Sequence, residues 1–484
     1  MKKIIALLLA VIMLVSLVAC VDPDTGNTTT TKKPDPSTSS QPTSSNKPAD
    51  PNAAMTYAEY MAAEDGMVVT VEFFVQANQG CWFDNDVNSY VTTVYGQTTE
   101  GGYFAYEAKC TEDLGDKLVP GTKVRVVGEK GQFNGEIEVM NGTLEIIEGE
   151  TWIAEPMDVT GLLGKDELAD HMNKKVAFKN LTVVACNDNG DAFMYNWDGS
   201  GKEGNDLYFC VSAEGQTYTF CVESYLCGLG SDAYEAVRGL KVGDVIDLEG
   251  FLYWYNVAQP HVTSVKVKTA HDIYMETEDG MEVTVEFYVQ ATQSWWYNSK
   301  VESGVITVYG QTTEGGYFAY EAKCDEETGN KLVPGTKVRV TGEKGQFNGE
   351  IEVMNGTLEI IEGETWIAEP LDVTSLLGTE ELEKHMNKKV CFKGMTVVAC
   401  NDNGDAFMYN WDGSGKEGND LYFCVSINGQ TYTFCVESHL CGVGSEAYEA
   451  VRSLQVGDVI DLEGFLYWYN TAQPHITSVT KVAK

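Results

Sequence analysis

The side chains best suited to hold a ligand in this chain are aromatic and come in clusters. Trp82 and Phe83 follow a strand-like run and stand among Gly, Asp and Asn residues; Trp295, Trp296 and Tyr297 occupy the corresponding place further on. Tyr253-Trp254-Tyr255-Asn256 recurs as Tyr467-Trp468-Tyr469-Asn470. Flat rings stack on sugar faces and on nucleobases, and acidic surroundings suit hydroxyls better than phosphates. Trp82, Trp254, Tyr255, Trp296, Trp468 and Tyr469 are therefore the candidate ligand-binding residues. The same rings could instead pack one module on the next, and the sequence leaves both uses open. Phe193, Tyr195 and Trp197 alternate along one strand and read as core.

Other chemistry is less well provided. Asn187-Asp188-Asn189-Gly190-Asp191 and Asp198-Gly199-Ser200-Gly201 gather oxygens of the kind Ca²⁺ takes, but neither follows the calcium-loop spacing, and turn formation accounts for these residue types. No metal or cofactor is expected. The histidines number six; His171 and His385 sit in turns, His261 and His475 begin strands, and none stands in a nucleophile or zincin pattern. The reading is of a binding protein and not of an enzyme. Of thirteen cysteines, ten form five recurring pairs, whereas Cys81 and Cys391 face Trp295 and Ala177 in the internal alignment. Cys210 and Cys221 fall on facing arms of an expected hairpin and could approach each other.

Acidic residues number 72 against 33 Lys+Arg, a formal charge of −39. Such a surface repels phosphate backbones, so nucleic acid is an unlikely partner on charge alone. At the start, Lys2 and Lys3 precede an apolar run, Ile4 to Val18, that ends in Leu17-Val18-Ala19-Cys20. This resembles the lipobox of bacterial lipoproteins, and the resemblance implies cleavage before Cys20, lipid attachment to its sulfur, and anchoring on the extracellular face of a cell membrane. Residues 21–55 are dominated by Thr, Ser, Pro, Asn and Asp and read as a disordered tether.

The remainder is one unit written twice. Gly96 to Tyr106 recurs as Gly310 to Tyr320, a shift of 310 − 96 = 214 residues, and roughly four positions in five are identical. Gly128 to Pro156 and Thr182 to Ser212 are repeated without a change. Short alternating runs separated by Gly, Pro and Asn-Gly turns predict an all-β chain. Lys175 to Ala185, Asp191 to Trp197 and Leu207 to Ser212 read as successive strands, with Gln216 to Glu223 as an extra hairpin arm and Ser231 to Arg238 as a short helix. With Leu240 to Asn256 and Pro260 to Val265 added, this order resembles the oligonucleotide/oligosaccharide-binding (OB) fold. Leu118 to Gly142 carries a looser version in the first half, which lacks an evident inter-strand helix. The expected organisation is a signal peptide (1–20), the tether (21–55) and four tandem OB-like small β-barrels in two near-identical pairs (56–156, 157–269, 270–370, 371–484). The expected function is recognition of an extracellular glycan through loop aromatics. The rivals are an adhesive stalk with a protein partner and capture of single-stranded nucleic acid.

Overall fold

A computed structural model describes residues 53–482 except residue 116. Cys20, the signal segment and nearly all of the tether lie outside the described residues. The first barrel is built from β1 (Val68–Asn78), β2 (Ser89–Gln97), β3 (Gly102–Cys110), β4 (Thr122–Phe133) and β5 (Glu136–Thr151). β1 pairs antiparallel with β2 and β4, β2 with β3, and β4 with β5, while β3 runs parallel to β5 and closes the cylinder. The second barrel repeats this circuit with β6 (Lys175–Val184), β7 (Leu207–Ala213), β8 (Gln216–Val222), β9 (Val245–Phe251) and β10 (His261–Val267), β8 and β10 being the parallel pair. The order 1-2-3-5-4-1 with that single parallel contact is the OB barrel. The second copy reproduces both barrels in the same order, so the protein is all-β, with four tandem OB barrels in two near-identical pairs.

Alternation of side chains explains closure. Val69, Val71, Phe73 and Val75 of β1 all point inward and are fully buried. Phe73 stacks on Tyr103 at 5.2 Å and lies so close to Gly96 that a Cβ there would fall 2.0 Å from its ring. The open end of the first barrel is plugged by α1 (Tyr57–Ala62), whose Thr56 and Glu59 form a capping box and whose Tyr60 enters the core. Lys130 Nζ donates to the carbonyls of Met61 and Ala63 at 2.7 and 2.6 Å, satisfying groups at the helix end. In the second barrel the plug is α2 (Asp232–Gly239), capped by Ser231.

Several expectations are corrected here. The first half does carry an inter-strand helix, Glu112–Gly115, but it is a single turn with only Leu114 packed on the core, too short for an apolar pattern to announce it. Gln216–Val222 is the third barrel strand and not an extra arm. The strand expected over Asp191 to Trp197 shrinks to Phe193–Tyr195, an edge piece on β7, because Gly and Asn turns crowd both its ends. The β7–β8 hairpin forms, yet its register sets Cys210 opposite Thr219 and Cys221 opposite Tyr208, so the two cysteines do not face each other.

Within each pair the barrels share an apolar seam. The outer faces of β2 and β3 present Tyr95 and Phe104, which are covered by Phe251 and Tyr253 from the end of β9: Tyr95 stacks on Phe251 at 4.6 Å, and Phe104 meets Tyr253 edge-on at 5.4 Å. Tyr95 Oη and His261 Nδ1 are 2.7 Å apart and buried. The turn at His171 to Lys175 is not a solvated one: Asn173 Nδ2 donates to Ile137 O at 3.0 Å and Lys175 N to Gln97 Oε1 at 2.7 Å. Where the two pairs meet, α3 (Ala270–Glu276) follows β10 directly. Lys268, its side chain 1% exposed, binds Asp247 at 3.2 Å, Asn180 Oδ1 at 2.6 Å and the Glu276 carboxylate.

Candidate ligand-binding site

In OB barrels two loops flank the ligand face, one between the first and second strands and one between the fourth and fifth. In this protein each pair uses up half of them internally. The β4–β5 turn at Asn134-Gly135 of the first barrel meets the β9–β10 loop of the second: Asn256 N donates to Asn134 O, and a Cβ on Gly135 would lie 2.8 Å from Trp254 Cδ1. Trp254 is half-buried against the second barrel's core, and its backbone N–H donates to Glu136 Oε2 at 2.7 Å. Trp468 stands identically over Gly349, with its N–H on Glu350. Those two indoles therefore serve the seam. Their neighbours Tyr255 and Tyr469 remain 44% exposed, each edge-on to an exposed phenylalanine, Phe133 or Phe347, at 6.1 Å.

Beneath Trp254 the seam holds carboxyls without cations. Glu136 is buried, with Oε1 unpartnered, and desolvation pushes its pKa up to about 8. Burial likewise raises Glu138 to about 7. Glu350 and Glu352 repeat both values.

The loops between first and second strands stay open. In the first barrel, Trp82 and Phe83 lie on a short edge strand against β2; Trp82 is half-buried and Phe83 exposed. In the third barrel Trp296 is 45% and Tyr297 59% exposed, while Trp295 turns inward. The loop in the second barrel spans residues 185–206 and borders a groove of about 680 Å³. Its walls are Asn187, Asp188, Asn189, Asp191 and Asp198 on the polar side, with Phe193, Met194 and Tyr195 on the other. Asn187 organises the first turn: its Oδ1 accepts from the N–H groups of Asn189 and Asp191, at 3.0 and 3.2 Å, and its Nδ2 donates to Asp191 Oδ2 at 2.9 Å. Asp198 accepts from Ser200 N at 3.0 Å, and hydrogen bonds from Ser200 hold its carboxyl below the usual range. Gly199 takes φ +73°, the left-handed conformation that turns the chain under Met194.

Beside this groove stands Trp197, 74% exposed, as is Trp411 in the second copy. The alternation that assigned Trp197 to the core fails because the strand ends at Tyr195. Phe193 and Tyr195 do pack on the core as expected. The groove's signal lay in its turn residues, which conceal a wall as readily as a bend. Among the described residues no group of His, Cys, Asp and Glu is placed to hold a metal ion.

The fold and these open loops define a tandem OB-barrel protein. No protein-family model and no curated protein matches the chain. Among solved structures it is similar to the tetrameric p202 HIN2 (11% identity, 43% of this chain and 96% of that one, TM-score 0.20). It is also similar to a murine DNA-binding protein bound with double-stranded DNA (12%, 41% and 99%, 0.22) and to the single-stranded DNA-binding protein from Thermus aquaticus (13%, 43% and 95%, 0.15). Likeness at this level carries no argument about what this chain binds.

Proposed function

We propose that this is a lipid-anchored protein of the cell surface that binds an extracellular glycan in the first-to-second-strand loops of its second and fourth barrels. The observation that carries the reading is the groove of amide and carboxylate oxygens in the second barrel, with the exposed indole of Trp197 next along the chain to its wall residue Asp198; the same residues and an equally exposed Trp411 recur in the fourth barrel. Carboxylates and amides accept and donate to sugar hydroxyls, and Trp197 or Trp411 offers a flat face to the C–H side of a pyranose. No Lys or Arg lines the groove, which leaves a phosphate backbone without a counter-charge. Two equal sites on one chain favour a polymeric ligand through avidity. The lipobox-like Cys20 and the polar tether support display outside the cell.

The test is retention of the full chain on glycan arrays and insoluble polysaccharides, beside the double variant Trp197→Ala/Trp411→Ala. Retention by the native protein and its loss in the variant, at unchanged melting temperature, is expected. Failure of the native protein to bind any glycan, or equal retention by the variant, overturns the reading. Retention of a single-stranded oligonucleotide at low salt would transfer the site to the nucleic-acid class.

A further inference from the structure

The two copies differ at the base of the loop that carries Trp82. In the first copy Cys81 Sγ lies 3.3 Å from Cys110 Sγ, across 29 residues of chain. In the second, Trp295 replaces Cys81, and its indole Nε1 donates to the carbonyl of Cys324, the counterpart of Cys110, at 3.1 Å. A compensating change accompanies the swap: Tyr90 of the first copy becomes Gly304, where a Cβ would sit 2.2 Å from the Trp295 ring. The floor of the corner is the same glycine in both. A Cβ on Gly115 would fall 2.3 Å from Cys81 Cβ, and one on Gly329 2.7 Å from Trp295 Cδ1. One corner is thus closed in two ways, by a sulfur pair in the first copy and by an indole in the second.

We propose that Cys81 and Cys110 form a disulfide that ties the Trp82–Phe83 loop to the end of β3, and that the third barrel has no bridge at the equivalent place. Both residues are half-buried, within reach of a small oxidant. The oxidant is a disulfide, RS–SR. The Cys81 thiolate attacks one of its sulfurs and expels RS⁻; the Cys110 sulfur then attacks the Cys81 sulfur of the mixed disulfide and expels the second RS⁻. The pair loses two protons and two electrons, and the oxidant leaves as two RSH. Burial and the neighbouring Cys81 push the Cys110 thiol up to about 12. The bridge would form the floor beside a shallow groove of about 410 Å³ between Phe83, Tyr90, Glu112 and Asp113, where Phe83 meets Tyr90 edge-on at 5.3 Å. It depends on neither glycan binding nor the lipid anchor.

The full chain is incubated with glutathione disulfide, denatured, alkylated without reductant and digested for mass spectrometry. The Cys81 and Cys110 peptides should appear as one linked species that dithiothreitol separates, with Cys324 alkylated. Cys81→Ser should convert Cys110 from linked to fully alkylated. In the second copy Trp295→Cys should convert Cys324 from alkylated to linked. Recovery of Cys81 and Cys110 as separate alkylated peptides in the native chain, or of Cys81 linked to another cysteine, overturns the proposal.

Discussion

Raising the pH should loosen each pair of barrels, and the carboxyl under Trp254 makes the largest single contribution. Glu136 carries a pKa near 8 in the folded chain against 4.5 for a free side chain, a difference of 3.5 pH units. Because the folded value is the raised one, the folded state binds more protons than the unfolded state between those limits. Stability is full below pH 4.5 and falls as pH rises through 8. At 1.36 kcal/mol per unit the loss is about 5 kcal/mol per pair from this carboxyl, or about 10–20 °C of melting temperature for a unit of roughly 200 residues. Asn173 lies beside Glu136, and Asn173 Oδ1 and Glu136 Oε1 are both buried acceptors without partners, an arrangement that a proton on Glu136 would relieve. Carboxyls with lowered values, such as Asp272 at about 2, act only in more acid solution. The assay is thermal unfolding from pH 5 to 9 at constant ionic strength for the native chain and for Glu136→Gln/Glu350→Gln. The variant should show a shallower slope, retaining the part due to the other raised carboxyls, Glu138 and Glu223 with Glu352 and Glu437 in the second copy. An identical slope in both proteins, or a melting temperature that climbs from pH 5 to 8, would refute the reasoning.

Trp254→Ala should destabilise its pair by about 2–4 kcal/mol through loss of packing over Gly135, whereas Trp197→Ala should leave urea midpoints unchanged because its ring is exposed. Tyr95→Phe strips the buried His261 Nδ1 of its partner and should cost about 1–3 kcal/mol in denaturant unfolding. Dithiothreitol should lower the stability of the first pair by about 3–4 kcal/mol, the entropy of a loop of this length, and leave Cys81→Ser/Cys110→Ser unaffected in differential scanning calorimetry.

Periodicity carried most of the architecture. The alternation in Val68 to Val75 placed a barrel strand where the structure has it, and the exact recurrence of Gly128 to Pro156 announced the second copy; the tight turn expected at Asn141-Gly142 does not form, because β5 runs through both residues from Glu136 to Thr151. What escaped was information held in partners distant along the chain. Trp254 and Trp296 look alike in sequence, yet one is claimed by a turn 119 residues earlier (254 − 135) and the other faces solvent. Trp197 looked internal because its strand ends two residues sooner than the alternation suggests. The Asn187–Asp191 segment read as a bend, since Asx turns look the same whether or not a groove opens beside them.

The buried lysine at the junction of the pairs bears on how the protein would engage a long molecule. Lys268 joins Asp247 and Asn180 of one pair to Glu276 of the next; at the equivalent places of the second copy stand Val482 and Gly394. The clasp thus belongs to the joint alone, and a joint tied in this way would act as a bracket and not as a swivel. A bracket works as a calliper: targets whose repeat matches its gap are gripped at both jaws, and mismatched ones at a single jaw. Selectivity would then reside in the pitch of the target as much as in the chemistry of either jaw.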